Sequence, residues 1–151
     1  MDASCRPAAS GDLEKLLSFS EALYREDGTL RFEEERARAG FRQLLEDDSL
    51  GRVWMIDAGG RPVGYVVLTW GFSIEHWGRV GLVDELFVLP DHRDRGLGTA
   101  ALELVERSCR ERGVRAIQLE VSRSNVRGQE LYRRRGFVDH DRYLMTKDVR
   151  R

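Results

Sequence analysis

Arg93 and Arg95 stand just before Gly96 and Gly98 in the middle of the chain. From Leu97 onward apolar side chains recur with helical spacing, so the glycines mark the start of a helix. A helix start without side chains at two positions lets an anion approach the unpaired backbone N–H groups, where the helix dipole favours negative charge. The two arginines add charge-assisted contacts. This stretch therefore predicts a phosphate-binding site.

The spacing differs from that of two common phosphate-binding motifs. No Gly-Lys-Ser/Thr follows, as a P-loop requires, and the dinucleotide fingerprint needs three glycines. Taken alone, Arg-x-x-Gly-x-Gly is a weak signal, because glycines can also close a strand-to-helix turn beside arginines that are merely solvated. The surrounding elements must distinguish these interpretations.

The residues that flank this loop form an apolar strand and an amphipathic helix. The strand covers residues 80–89 and ends at Pro90, which has no N–H to give to a sheet. The helix begins at about Gly96, and its apolar stripe continues to Cys109. The sequence thus places a basic, glycine-containing loop between a strand and a helix start.

Patterns in the remaining sequence predict the rest of the architecture. They indicate a strand at residues 3–8, a helix from Ser10 or Gly11, a charged helix at 32–45, a hairpin of strands 52–58 and 61–70, a strand at 114–121, a short helix capped by Ser124 or Asn125 and ending at Gly136, and last strands at 137–139 and 142–146. This order predicts an α/β fold. Its central sheet is mixed and mostly antiparallel, with six to seven strands and helices on both faces.

Composition excludes several function classes. The 151 residues are the size of one ordinary domain, so residues 1–151 are predicted to form a single domain. A net charge of -1 gives no electrostatic reason to expect nucleic-acid or anionic-membrane binding. No apolar run reaches the length of a membrane span, and the N-terminus lacks the apolar core of a signal peptide, which predicts the cytoplasm. Cys5 and Cys109 fit neither metal-ligand spacing nor a disulfide framework, and no metal site is predicted.

Two motifs in this order carry a family resemblance. A strand leads into Arg93–Gly98, and a second strand leads into Asn125–Phe137, which reads Asn-Val-Arg-Gly-Gln-Glu-Leu-Tyr-Arg-Arg-Arg-Gly-Phe. Together they resemble the Gcn5-related N-acetyltransferase (GNAT) family over nearly the whole chain. The resemblance implies an acyl-CoA N-acyltransferase fold in which acetyl-CoA, the cosubstrate, lies between strands 4 and 5 where they splay apart.

The resemblance also implies which residues bind acetyl-CoA. Asn125 matches the asparagine that contacts pantetheine, and Tyr132 matches the tyrosine beside the sulfur. The splayed strand and the pyrophosphate loop correspond to Leu86, Phe87 and Val88, and to Arg93, Asp94, Arg95, Gly96, Leu97, Gly98 and Thr99, respectively. Asp94 is a departure, because many members have glycine there. Its carboxylate must point away from the phosphates or weaken binding.

Amine acetylation makes chemical demands that the same region can meet. A primary alkyl amine has a pKa of about 10.4, so a base must take its proton. Asp84 and Glu85 are the candidate bases, directly or through water, with Glu85 slightly favoured and Glu120 a weaker candidate. Tyr132 suits the role of acid for the leaving thiolate, because its phenol pKa of about 10 keeps it protonated at neutral pH. Alternatively, Tyr132 is a core tyrosine and the carboxylates are solvated strand-end groups.

Several other residues allow both a functional and a purely structural interpretation. Trp70, Phe72 and Trp77 either line an acceptor pocket, with Glu75 attracting a cationic amine, or cover the edge of the sheet. Convergence of Glu75 with Asp84 and Glu85 would favour a cationic amine or polyamine. Asn125 is also a helix-cap candidate. The histidines at 76, 92 and 140 are expected to be surface or packing residues, and the arginines at 133–135 a solvated helix face from which one can reach the CoA 3′-phosphate.

The sequence thus predicts an acetyl-CoA-dependent N-acetyltransferase that modifies a small-molecule primary amine. Transfer is expected to be direct within a ternary complex, because Cys5 and Cys109 lack a motif for a covalent intermediate. Two alternatives are a non-catalytic acyl-CoA-binding or sensing module and a protein or peptide Nα-acetyltransferase. By analogy with the fold, a homodimer would form through the second helix or the last strand.

Overall fold

The computed structural model describes residues 3–150. The helices and strands are β1 (Ala3–Pro7), α1 (Leu13–Asp27), α2 (Glu34–Glu46), β2 (Gly51–Ala58), β3 (Arg61–Ser73), β4 (Gly78–Val88), α3 (Leu97–Glu111), β5 (Ala116–Leu119) and α4 (Val126–Arg134). Each corresponds to an element that the sequence predicts. The segment at 71–79, which shows no clear periodicity, extends β3 and β4 into a longer hairpin.

The strands form one mixed sheet in the order β1-β2-β3-β4-β5. The first three pairings are antiparallel and β4 pairs with β5 in parallel. The α1 and α2 side chains pack with Tyr65, whereas those of α3 pack with Val66 and Leu68 on the other face. This alternation follows from the two-residue period of a strand. The prediction of an α/β fold with a mixed sheet and helices on both faces is confirmed.

The predicted strand number is wrong, because the described residues form five strands rather than six to seven. The segments 137–139 and 142–146 carry strand-like apolar spacing but lie outside the sheet, and Val138, Leu144 and Met145 are 74%, 69% and 89% exposed. Spacing indicates which side chains would share a face, but a strand also needs a partner edge. The edge strand nearest in sequence, β5, is only four residues long and offers a short edge.

A β-bulge in β4 sets the orientation of the candidate carboxylates. Val67 of β3 pairs with Glu85 and Leu68 pairs with Val83, so Asp84 is the extra residue. Val83 packs on the α3 face, whereas Glu85 contacts α1. In a regular strand, residues two apart share a face, so the bulge accounts for the switch.

The strands β4 and β5 separate beyond the bulge. Within residues 3–150, their pairing begins at Val80 and Ala116 and ends at Val83 and Leu119. The rest of β4 continues to Val88 beside β3 alone. The predicted splay between strands 4 and 5 is therefore present, and it opens a gap next to residues 84–88.

Gly64 allows β3 to lie against β4 near this gap. A Cβ at position 64 would stand 2.2 Å from the Phe87 carbonyl oxygen and 3.1 Å from the Val88 Cα. Because both obstacles are backbone atoms, we expect Gly64→Ala to lower the free energy of unfolding by about 2 kcal/mol or more. Urea denaturation measures the change. Gly40→Ala in α2 is the control: its Cβ would meet nothing within 4 Å, so it should leave stability unchanged or raise it. Equal effects would contradict the close packing.

Among residues 3–150, no helix combines the length and the apolar character that crossing a bilayer requires. The same residues contain no cluster of three or more His, Cys, Asp or Glu side chains arranged to hold a metal ion.

Candidate active site

A cavity of about 380 Å³ opens where β4 and β5 separate. This volume is within the range of small-molecule sites. Most of the predicted cosubstrate residues line it, namely Leu86, Phe87, Val88, Arg93, Asp94, Gly96, Leu97, Gly98, Thr99, Asn125 and Tyr132. Arg95, Asp84 and Glu85 are described residues that do not line it. The structure thus brings the loop, the splayed strand and the tyrosine together, and leaves the two carboxylates beside them.

The start of α3 is suited to an anion. Gly96 precedes the helix with a φ of 79°, in the left-handed region where glycine is unstrained. In the described part of the chain, no side chain caps this helix. Its first backbone N–H groups therefore lack a side-chain partner, and the residues that carry them, 96–99, line the cavity. A Cβ at Gly98 would stand 3.0 Å from Leu131, so glycine also permits close packing of α3 and α4.

Arg93 is bound by protein groups. Its Nε donates to the Val88 carbonyl oxygen at 2.8 Å, and its Nη2 lies 2.8 Å from the Glu26 carboxylate. The guanidinium carbon lies 5.6 Å from the centre of the Phe87 ring. These contacts tie the loop to α1 and β4. The Arg93 side chain thus stabilises the loop, and the expected anion contact falls mainly to the backbone at 96–99.

Asp94 has a φ of 61° and forms an ion pair with Arg127 of α4. The left-handed backbone explains why glycine is a natural residue at this position, and aspartate is one of the few others that tolerate it. The ion pair directs the carboxylate toward α4. The expectation that it must point away from bound phosphates stays a prediction.

Asn125 caps α4, because its side-chain oxygen accepts a hydrogen bond of 2.9 Å from the Gly128 N–H. It also lines the cavity, so the cap and the predicted pantetheine contact are compatible. Arg134 lines the cavity too, whereas Arg135 forms ion pairs with Glu103 and Glu106 of α3. Arg134 is therefore the arginine of that run best placed to meet a phosphate.

Tyr132 lies on α4 between the cavity and the α3 face of the core. Its ring packs edge-on against Phe137, with 5.9 Å between the ring centres. Burial raises the pKa of its hydroxyl above the ordinary value. The phenol therefore stays protonated throughout the neutral range and can donate a proton.

Glu85 lies in a polar group on the α1 side of the sheet. Its Oε1 accepts hydrogen bonds from the Tyr65 hydroxyl at 2.9 Å and from the Ser20 hydroxyl at 3.2 Å. Tyr65 and Ser20 are themselves 0% and 2% exposed. Burial raises the pKa of Glu85, and the charge of Asp84 raises it further, although the bonds from Tyr65 and Ser20 oppose the shift. Glu85 is thus held in place with its basicity increased.

Asp84 and Tyr24 stand next to this group. Burial raises the pKa of Asp84, but the residue is exposed at the bulge, so solvent moderates the shift. The pKa of Tyr24 rises to about 12 because of burial and the charges of Glu85 and Asp84. Tyr24 directly follows Leu23, which lines the cavity. The carboxylates therefore lie beside the α1 wall of the cavity.

Removing the Tyr65 hydroxyl should raise the pKa of Glu85 further, because Tyr65→Phe deletes a hydrogen bond that favours the carboxylate. NMR titration of the Glu85 carboxyl carbon should show this rise. Tyr143→Phe makes the same change at a side chain that is 88% exposed, and it should cause no shift. An unchanged titration in Tyr65→Phe would show that the hydrogen bond does not tune Glu85.

Sequence and structure comparisons agree on one family. The family model for the acetyltransferase (GNAT) family matches residues 16–137. The chain belongs to the GNAT family. An uncharacterized N-acetyltransferase from Methanocaldococcus jannaschii is 31% identical over 90% of this chain and 61% of its own length. A second, from Archaeoglobus fulgidus, is 37% identical over 61% of this chain and 63% of its own length. The chain thus spans less than two thirds of these relatives.

Solved structures show the same GNAT fold. An integron cassette protein from the mobile metagenome of Cole Harbour salt marsh is 37% identical, with a TM-score of 0.84 over 97% of this chain and 91% of that one. A predicted acetyltransferase from Clostridium acetobutylicum, solved with acetyl-CoA, is 20% identical, with a TM-score of 0.82 over 97% and 96% of the two chains. At that identity the second likeness shows the fold alone.

Trp70, Phe72 and Trp77, which either line an acceptor pocket or cover the sheet edge, do not line the cavity of this GNAT chain. Phe72 and Trp77 are 72% and 83% exposed on the β3–β4 hairpin. Trp70 donates its indole N–H to the Asp48 carbonyl oxygen, which fits the sheet-edge interpretation. Glu75 lies in the hairpin turn and pairs with Arg142 at 2.9 Å. It therefore does not converge with the carboxylates of the bulge.

Several cavity residues were not predicted from the sequence. Leu23, Glu26 and Asp27 of α1, together with His92 and several residues from Ser122 to Gly128, complete the lining of this GNAT site. Sequence patterns predicted a surface or packing role for His92 and no role for the end of α1. A contact between α1 and a loop about 67 residues later has no local pattern. The acidic end of α1 was thus the feature that pattern analysis missed.

Proposed function

We propose that this GNAT chain transfers an acetyl group from acetyl-CoA to a primary amine of a small molecule, directly within a ternary complex. The observation that carries the proposal is the cavity between β4 and β5, where an uncapped helix start and a protonated Tyr132 line one space. The presence of acetyl-CoA in the Clostridium acetobutylicum neighbour supports the choice of cosubstrate.

The lining residues suit acetyl-CoA. The backbone N–H groups at 96–99 and the dipole of α3 would bind the pyrophosphate, and Arg134 would meet a further phosphate. The part of β4 beyond Val83 has main-chain groups available to pair with the pantetheine arm, together with Asn125. The thioester brings an activated acetyl carbon to the gap. No metal is needed for this chemistry, since proton transfer and backbone hydrogen bonds meet its demands.

Three proton transfers take place in the proposed reaction, which starts from a protonated amine. Glu85 takes the ammonium proton, directly or through water, and the raised pKa brings this carboxylate closer to the neutral range in which a general base is most effective. The neutral amine then attacks the acetyl carbon, and the new C–N bond forms as the C–S bond breaks. The nitrogen releases its second proton to water, and Tyr132 gives its proton to the departing sulfur. Proton exchange with water restores both side chains. A backbone N–H of β4 would stabilise the negative charge that develops on the acetyl oxygen.

Asp84 is the alternative base. It is exposed at the bulge and also has a raised pKa, whereas Glu85 is held by two hydrogen bonds. A carboxylate that is already held in place loses less conformational entropy when it adopts the reactive geometry. We therefore assign the base to Glu85, and place Asp84 beside it as a charge that attracts the acceptor.

The proposed acceptor is a small amine, and a cationic one is favoured. Asp84 and Glu85 provide the negative charge near the α1 wall, and Asp27 adds a carboxylate at the cavity, whereas the Glu26 carboxylate is paired with Arg93. Glu75 makes no contribution, so the charge available is smaller than the sequence suggested. The preference for cationic amines thus rests on the two bulge carboxylates and the end of α1.

The test combines acetyl-CoA turnover with a calorimetric titration. Release of free CoA thiol is measured with matched panels of neutral amines, polyamines, aminoglycosides, amino acids and peptides. Turnover with small amines, and faster turnover with cationic ones, is the expected result. Faster turnover with peptide N-termini than with small amines would identify the chain as a peptide Nα-acetyltransferase instead. Tight acetyl-CoA binding without any turnover would favour a sensing module, and failure to bind would reject the cavity as the cosubstrate site.

A single domain, a cytoplasmic location and a homodimer complete the proposal. The dimer is supported by the exposed side chains of the C-terminal segment, of which Tyr143 and Met145 are 88% and 89% exposed. Neighbouring large apolar residues that are this exposed are candidates for an association surface. Light scattering after size exclusion would show the mass of two chains, and a single-chain mass at high concentration would reject the dimer.

A further inference from the structure

Asp94 lies close to two groups that attract a carboxylate. It stands two residues before Gly96, after which α3 begins, and it forms an ion pair with Arg127. Its φ of 61° fixes the backbone in the left-handed region. The Asp94 side chain therefore starts from a constrained backbone position between the starts of α3 and α4.

The first attractive group is the start of α3. No described side chain caps this helix, so its N-terminal N–H groups keep their capacity to bind an oxygen. Asp94 lies two residues before the N-cap, Gly96, and the dipole of α3 draws a carboxylate to this end. An unrestrained Asp94 would thus tend to occupy the position that the pyrophosphate requires.

The second group is Arg127, which comes from a different element. Arg127 lies in the first turn of α4, a turn that the Asn125 cap holds in place through Gly128. Both members of the pair line the cavity, and their side chains are 53% and 76% exposed. An ion pair this exposed adds little to folding stability. Its importance lies in where it directs the carboxylate.

We infer that Arg127 is a positioning residue that keeps the Asp94 carboxylate away from the start of α3, so that this helix start stays available to the CoA pyrophosphate. The inference rests on the proposed function, because the competing anion belongs to acetyl-CoA. It also explains how this chain accommodates an acidic residue in its phosphate loop. Arg127 acts through Asp94 and makes no essential contact with the phosphate.

The test is a double-mutant cycle on CoA affinity, measured by calorimetry at fixed salt. With Asp94 present, Arg127→Gln should weaken CoA binding about fivefold, because the released carboxylate competes at the helix start. With Asp94→Asn, the same change should alter the Kd by less than about twofold. Asparagine tolerates the left-handed backbone, so the loop geometry is retained.

Matched controls separate the possible results. Arg133→Gln removes the same charge from the same helix outside the cavity and should leave the Kd unchanged. S-acetylpantetheine, which lacks the pyrophosphate, should bind all four proteins of the cycle equally, and thermal melts check that each is folded. An equal loss in both backgrounds would mean that Arg127 contacts the phosphate directly, and no loss in either would remove its role. Both results overturn the inference while leaving the proposed function intact. A wild-type chain that binds no CoA would reject the function together with the inference.

Discussion

Tyr132→Phe is expected to lower kcat for acetyl transfer by about a hundredfold or more at pH 7.5. The variant removes a cavity-lining hydroxyl of α4 whose pKa is raised by burial, and the leaving thiolate would have to depart without this proton donor. The ring and its edge-on packing with Phe137 remain. Steady-state kinetics with the best amine of the panel gives kcat and KM separately.

The control for this variant is the affinity for CoA. Because the phenylalanine ring fills the same space, calorimetry should give a Kd within about twofold of the wild type. Tyr143→Phe, which changes an exposed tyrosine in the C-terminal segment, should leave kcat unchanged. If Tyr132→Phe keeps its full turnover, Tyr132 is a packing residue and another group must protonate the sulfur. If kcat falls only because CoA no longer binds, the acid role is equally unsupported.

Glu85→Gln is the second variant with a large expected effect. We expect kcat/KM to fall by about a hundredfold at pH 7.5, because glutamine keeps the size of the side chain but cannot accept the amine proton. The deficit should shrink as the pH approaches the amine pKa of about 10.4, where the acceptor loses its proton to solvent. A pH profile of kcat/KM measures both effects. Asp84→Asn, a matched change one residue away, should weaken the preference for cationic amines and retain most of the rate with neutral ones.

Stability provides an independent check on Glu85. Burial raises its pKa, so the folded protein binds this proton more tightly than the unfolded chain does, and stability falls as the pH rises through that pKa. Glu85→Gln lacks the ionisation. The Tm of the variant relative to wild type should therefore increase as the pH rises above the ordinary glutamate pKa of about 4.3. In the kinetic comparison, a large fall of kcat/KM in Asp84→Asn together with an unchanged kcat/KM in Glu85→Gln would mean that Asp84, and not Glu85, is the general base.

Local chemistry explains which parts of the site the sequence could predict. The glycines of the phosphate loop, the cap at Asn125 and the helical position of Tyr132 all follow from patterns within a few residues. The structure places all of them around one cavity. The same applies to the β2–β3 hairpin, whose Gly59-Gly60 turn specifies its geometry.

Contacts between distant residues explain what the sequence could not predict. The direction of Glu85 depends on the bulge at Asp84, and its partner Ser20 is 65 residues away. Alternation along β4 gives no sign of an inserted residue, so parity alone leaves the two carboxylates equivalent. The ion pair between Arg93 and Glu26 is likewise a long-range contact. The prediction of strands at 137–139 and 142–146 was wrong for a related reason. An alternating apolar pattern does not reveal whether a sheet edge is available for pairing.

The gap between β4 and β5 also makes the resistance of the protein to degradation depend on the concentration of acetyl-CoA. Under the proposed function, acetyl-CoA inserts where the sheet lacks cross-strand pairing, and it binds the folded chain but not the unfolded one. A ligand at a hundred times its Kd stabilises the folded state by about 2.7 kcal/mol. A change of that size alters the unfolded fraction about a hundredfold, and proteases act on that fraction. When acetyl-CoA is scarce, the chain would lose its substrate and part of its protection from degradation at the same time, so its abundance would follow the pool that it consumes.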